Sequence, residues 1–344
     1  MKVGIINVTG YSGAELARLL QHHPDAELTG VTGRSAAGRK LGDVFPHLAD
    51  IDMTIEEELT ASADVVFSAL PQVASAEACL PFVRSGIKVI DISADFRLRS
   101  SAEYQEWYGT EHPAPDLLET SVYGLTELDR EGVRNATLVA NPGCYPEAAL
   151  LALAPLVNEG LIGPSITIDA KSGVSGGGRG FSLATHFSEV NENVFAYAVD
   201  GHRHLPEITQ ELARLRPGFR PQVTFIPHLI PMTRGILDSC YADLADGAFP
   251  NAEAAREGIR ELYREFYKDE PFVKVMDAPP QTKQTWGNND CRIYPTVDQR
   301  TGRVMVFSAL DNLVKGAAGQ AVQNMNLMFG VPETAGLEQI AIYP

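Results

Sequence analysis

The chain has 344 residues, 44% of them apolar and 21% charged, the balance of a globular protein long enough for two domains. Its formal charge of −16 excludes a nucleic-acid backbone as partner, because that needs a basic face, yet allows an anionic small molecule in a locally cationic cleft. No run of about 18 apolar residues occurs and the start MKVGIINV reads as a strand, so neither a membrane span nor a secretory leader is expected.

Over the first hundred residues short apolar runs alternate with amphipathic stretches, the pattern of βαβ units. Strands are expected at residues 3–8, 27–32, 64–69 and 88–92, with helices at 14–21 and 75–85. Between the first strand and helix lies Asn7-Val8-Thr9-Gly10-Tyr11-Ser12-Gly13. That is where a dinucleotide fingerprint belongs: the glycines allow a tight turn and close backbone approach, and the helix N-terminus receives pyrophosphate charge. Asn7 stands where the first Gly is usual, and asparagine tolerates left-handed backbone angles, so the turn is expected to survive. The second strand ends in Thr32-Gly33-Arg34-Ser35, with no carboxylate for a ribose 2′-hydroxyl, so Arg34 and Ser35 point to NADP(H). After the fourth strand comes Ser93-Ala-Asp95-Phe-Arg97, which makes Arg97 a candidate phosphate or carboxylate clamp.

A short strand at 138–140 leads into Asn141-Pro-Gly-Cys144 and then a helix at 147–157. A thiol at a helix N-terminus has its thiolate stabilised by the unsatisfied N–H groups there, and such a thiolate attacks carbonyl carbon. Cys79 and Cys240 read as buried fillers, and Cys291, in a turn, has no assigned role. The scattered cysteines fit a reduced, cytoplasmic setting and no metal finger. Further strands are expected at 165–169, 222–227, 236–242, 272–275 and 303–308, with helices at 252–267 and 311–328. So few crossover helices imply a mixed or antiparallel sheet covered on one face. The loop Lys171-Ser172-Gly-Val-Ser175-Gly176-Gly-Gly-Arg179 is rich in backbone donors and reads as an anion or substrate loop. In His202-Arg-His204-Leu-Pro-Glu207 two imidazoles stand two apart, a spacing that on a strand aims both at one cleft as acid–base partners of the thiol. No further ligands at metal spacing accompany them.

These segments, with Val122-Tyr-Gly-Leu125, His186-Phe-Ser-Glu-Val-Asn-Glu-Asn193 and Asp311-Asn312-Leu-Val-Lys-Gly316-Ala-Ala-Gly-Gln320, run nearly end to end in one order. The chain thereby resembles the N-acetyl-γ-glutamyl-phosphate reductase family. The resemblance implies an α/β protein: a Rossmann-type NADP-binding domain, 1–143 with 312–344, and an α+β catalytic and oligomerisation domain, 144–311. The second would carry a mixed or antiparallel sheet like that of glyceraldehyde-3-phosphate dehydrogenase. Implied too is reduction of an acyl phosphate by NADPH, with Cys144 carrying the acyl group as a thioester. His204 is the first choice as acid–base, His202 stays open beside it, and Glu207 would orient the imidazole. Thr9, Gly10, Tyr11, Ser12, Gly13, Arg34, Ser35, Gly176, Asn312 and Gly316 would bind cofactor. Arg97, Asn141, Lys171, Ser172, Ser175 and Arg179 would hold substrate. The expected assembly is a homo-oligomer, dimer or tetramer, with no metal, nucleic acid or membrane. Two departures are Asn7 and Gln72, the latter where the family has His or another residue after Leu70-Pro71. Three rival readings remain: a carrier-bound aminoadipyl-phosphate reductase of lysine synthesis, which the acidic chain disfavours, an aspartate-semialdehyde dehydrogenase-like enzyme, and a non-catalytic dinucleotide sensor.

Overall fold

The N-terminal apolar runs condense into one parallel sheet in the computed structural model, which describes residues 1–344. Its strands are β1 (Lys2–Ile6), β2 (Glu27–Val31), β3 (Val65–Ser68), β4 (Lys88–Asp91), β5 (Val122–Tyr123) and β6 (Leu138–Ala140). They lie in the order β2-β1-β3-β4-β6-β5, every neighbouring pair parallel. All four residues of β3 are buried, as expected of a strand covered on both faces, which is why these strands read as unbroken apolar runs. The unit built on this sheet comprises Met1–Gly143 and Gly316–Gln339.

The second unit, Cys144–Lys315 with Ile340–Pro344, has a seven-stranded mixed sheet. Its strands are β7 (Ile162–Gly173), β8 (Phe195–Ala196), β9 (Gln222–Ile230), β10 (Ile236–Leu244), β11 (Val273–Val275), β12 (Cys291–Val297) and β13 (Arg303–Leu310), in the order β11-β12-β13-β10-β7-β9-β8. Side chains alternate along β7: Ile166, Ile168 and Ala170 are buried, whereas Thr167, Asp169 and Lys171 are partly exposed on the other face. The helix Cys144–Asn158 packs on the buried face, where the Ser308 hydroxyl donates to the Ala148 carbonyl.

That helix is apolar all round, with every residue from Tyr145 to Val157 buried. Removing a side chain such as Leu150 or Leu153 would cost about 2–5 kcal/mol. Pro155 lies inside it and cannot donate to the carbonyl of Leu151 four residues back. The hydroxyl of buried Tyr267 donates to that carbonyl instead, and Tyr263 donates to Ala152, both from the region of the amphipathic helix Ala252–Phe266. This helix is thus held along its length by a sheet on one side and two tyrosines on another.

Three expectations change. Strand β12 spans the segment read as a turn around Cys291; its Pro295 masked it, since proline cannot donate to a ladder. Pairing with β11 ends at Ile293, so Pro295 lies where that side of the strand has no partner. The closing stretch 311–328 is not one α-helix: Val314–Ala318 is π-helical and the α-helix is Gly319–Phe329. The second boundary between units accordingly falls after Lys315, where residue 311 was expected, because Asn312 and Lys315 bond within the mixed-sheet unit. Residues 340–344 also belong there, held by the Ile342 N–H on the Trp286 carbonyl.

Candidate active site

In the parallel unit, Asn7 has φ of 66°, the left-handed conformation expected of it. Its side chain is committed: Nδ2 donates to the Ala69 carbonyl at 2.8 Å, and Oδ1 accepts from the Thr9 hydroxyl at 2.9 Å. The helix Tyr11–Leu20 begins after Gly10 with no side-chain cap and no acid in its first turn. Its leading N–H groups have no intrahelical acceptor, the arrangement that suits an anion. A Cβ on Gly13 would stand 2.4 Å from the Asn7 carbonyl oxygen and 2.7 Å from Val8 Cα, so only glycine lets helix and loop approach this closely. A Cβ on Gly10 would meet nothing nearer than 3.7 Å; protein packing does not demand that glycine. Arg34 and Ser35 open an exposed 3-10 turn after β2, and Glu56, which bridges Thr32, bonds Thr60.

Two buried carboxyls stand at the carboxyl ends of these strands. Asp95 accepts from the N–H groups of Val73, Ser75 and Ala76 and from the Tyr104 hydroxyl, and so caps the helix Ser75–Arg84. Burial, with Asp95 nearby, pushes Asp91 up to about 6 despite hydrogen bonds from Ser75 and Ser93. Arg97 is not an open clamp. Its Nε donates to the Asn141 carbonyl and an Nη to the Ile92 carbonyl, both at 2.8 Å. Asn141 is wholly buried, donating to the Ala317 carbonyl and accepting from Asn324. Both residues hold the turn at the end of β6.

In the mixed-sheet unit, Cys144 is the first residue of its helix and the one cysteine of four that is not buried. Burial pushes the thiols of Cys79 and Cys240 well above the usual range, which leaves both inert. Tyr145, next along, packs edge-on against His202 and His204, with ring centroids 6.0 and 5.9 Å away. The two imidazoles are 4.7 Å apart, but not as strand neighbours. His202 precedes the helix His204–Leu215, and its Nδ1 accepts from the His204 N–H at 3.1 Å. That bond places the neutral ring's proton on Nε2. Burial, then the Arg203 charge, drives His202 down to about 4. Glu207, buried in the first turn, stands three residues beyond His204, where helix side chains are neighbours.

Tyr145 and Tyr197 escaped the sequence reading. The Tyr197 hydroxyl donates to that of Tyr145, which donates to the His228 carbonyl. The aromatic residue directly after the thiol was the signal available.

The glycine-rich loop follows β7 as a 3-10 turn, Val174–Gly177. Backbone bonds from Val174 to Met232 and Ser175 to Thr233 fix it, and Asn312 accepts from the Gly235 N–H and donates to the Ser175 hydroxyl. Asn312 therefore braces the loop with both ends of its amide. Gly176 and Arg179 are exposed, whereas Ser172 is buried with its hydroxyl on the Gly173 carbonyl. Lys171 lies on the sheet face away from Ile168 and Ala170, paired with Asp169 at 2.7 Å. Gly316 lies buried in the π-helical turn. No group of three or more His, Cys, Asp or Glu side chains is arranged to hold a metal, and no helix is long and apolar enough to cross a membrane.

Fold and site define the class. Residues 2–136 match the model "Semialdehyde dehydrogenase, NAD binding domain" and residues 144–312 match "Semialdehyde dehydrogenase, dimerisation domain". Two solved structures share the fold over 95–96% of this chain and 98% of theirs. These are a probable aspartate-semialdehyde dehydrogenase from Pseudomonas aeruginosa (TM-score 0.70) and the NADP-bound enzyme from Candida albicans (TM-score 0.67), both 17% identical. Within the class, the chain belongs to the N-acetyl-γ-glutamyl-phosphate reductase family. Relatives of that name from Dehalococcoides mccartyi and Heliobacterium modesticaldum are 55% and 52% identical, covering all of this chain and 99% and 100% of theirs. The open helix N-terminus at Gly10, the tight Gly13 contact and the acid-free turn at Arg34 fit NADP(H).

Proposed function

We propose that the protein reduces N-acetyl-L-glutamyl 5-phosphate to N-acetyl-L-glutamate 5-semialdehyde, releasing phosphate, with NADPH as reductant. The observation that carries this reading is the unburied thiol of Cys144 at a helix start, its neighbour Tyr145 packed on two histidines.

Cys144 Sγ attacks the acyl carbon, the bond from that carbon to the phosphate oxygen breaks, and the acyl group stays on sulfur as a thioester. N–H groups in the first turn of its helix stabilise the thiolate beforehand and the oxyanion during attack. NADPH, when bound, supplies the hydride that brings the acyl group to the aldehyde level. His204 moves the protons, because His202 is committed as a neutral acceptor to the His204 backbone. Glu207 orients His204 from one turn along the helix. Arg179 and the loop backbone around Gly176 meet phosphate or carboxylate, while Ser175 and Asn312 hold that loop in shape. Thr9–Gly13, Arg34 and Ser35 hold the cofactor.

The same reading makes the chain a homo-oligomer. Phe181, Leu183 and Phe187 are exposed apolar side chains on the loop after the glycine run, and Thr167, Asp169 and Lys171 leave one sheet face partly open to a second copy. The reaction is tested in reverse, as phosphate-dependent oxidation of the semialdehyde by NADP+. Cys144→Ser should lower that rate by roughly three or more powers of ten with NADPH binding intact; a near-normal rate would sink the covalent route.

A further inference from the structure

A buried charge pair lies at the start of the helix that carries the reacting thiol. Glu147 is in the first turn of the helix that Cys144 begins, three residues on, where side chains of one helix face are neighbours. Its side chain is 0% exposed, as is that of Lys315, and Lys315 Nζ stands 3.4 Å from Glu147 Oε1. The ammonium also lies 5.7 Å from the centroid of the Phe272 ring. Lys315 is presented by the π-helical turn Val314–Ala318, whose widened backbone interrupts the closing helix.

An isolated carboxylate in that first turn would oppose the negative sulfur with little water to screen it. We infer that Lys315 is an electrostatic positioning residue for the reaction: it neutralises Glu147, so that the field at Cys144 is set by the helix N-terminus. The pair adds almost no net charge behind the thiol while tying the nucleophile's helix to the π-helical turn. Salt bridges buried this fully are seldom retained for stability alone, since their desolvation offsets their attraction. This inference rests on Cys144 being the nucleophile, and its test does not need the reductase reaction.

The test is the pH dependence of Cys144 alkylation by iodoacetamide in the full-length protein, followed by peptide mass mapping. Lys315→Met removes the cation beside Glu147 and should move the midpoint up, by roughly one to two pH units if the carboxyl stays ionised and by less as it takes a proton. Glu147→Gln leaves the cation and should move it down, so either single variant carries the test if the other does not fold. The double variant, a neutral pair of similar volume, should return the midpoint to within about half a unit of wild type. A purely structural role would change unfolding temperature without moving the midpoint in opposite directions. Midpoints unchanged in the single variants would overturn the inference while leaving the proposed function standing. Failure of Cys144 to alkylate in the wild-type protein would count against both.

Discussion

The chain makes one kind of turn twice. At Asn7–Gly13 and at Asn141–Cys144 a parallel strand ends, an asparagine fixes the exit, and a helix starts. The first turn presents backbone alone, since Gly13 admits no side chain and Gly10 carries none. The second ends on a side chain, the thiol of Cys144. On the proposed function, the difference lets one electrostatic device hold phosphate where side chains are removed and stabilise a thiolate where one is added.

The sharpest break of that parallel is in the proton carrier, which only the second turn requires. His204→Asn should lower kcat by about 10²–10⁴, the usual loss of a general acid–base, whereas His202→Asn, which still offers an acceptor to the His204 N–H, should cost tenfold or less. Equal losses would place the proton on both rings. Next comes Gly13→Ala, whose methyl must displace the Asn7 carbonyl. A rise of about tenfold or more in the NADPH dissociation constant, read by fluorescence titration, should leave Cys144 alkylation unchanged. If alkylation also fell, the two turns would not be independent.

The smallest effect separates the units by pH. His202 titrates near 6.5 when unfolded and about 4 when folded, so the unfolded state binds more protons between those values. Stability therefore falls as pH drops from 6.5 toward 4. Asp91, raised to about 6, has the opposite sign: folded protein holds its proton longer, and stability falls as pH rises from about 4 to 6. Urea unfolding of His202→Gln should show less loss on the acid side, and of Asp91→Asn less loss on rising through that window.

Much of the parallel unit was legible because its signals are local. Strands β1 to β4 are short apolar runs, the Asn7 turn is a contiguous motif, and Cys144 opens its helix where the motif places it. What escaped depends on pairing across the chain. Lys171 looked like part of the anion loop until β7 proved to run through it, which puts it on one face with Asp169 two residues back. Arg97 looked free until its guanidinium met the carbonyls of Ile92 and Asn141. Glu147 and Lys315 belong to motifs far apart in sequence, and no periodicity within either segment joins them. The histidines came together as expected, but through a helix cap in place of a strand face.

Asn7 has one more consequence, and it concerns the unfolded chain. A glycine at φ of 66° would give up more backbone freedom on folding than any other residue. Asparagine has less to lose, and its bonds to Ala69 and Thr9 fasten the loop without a ligand. The dinucleotide therefore meets a loop already ordered, and less of its binding free energy goes into restraining the chain.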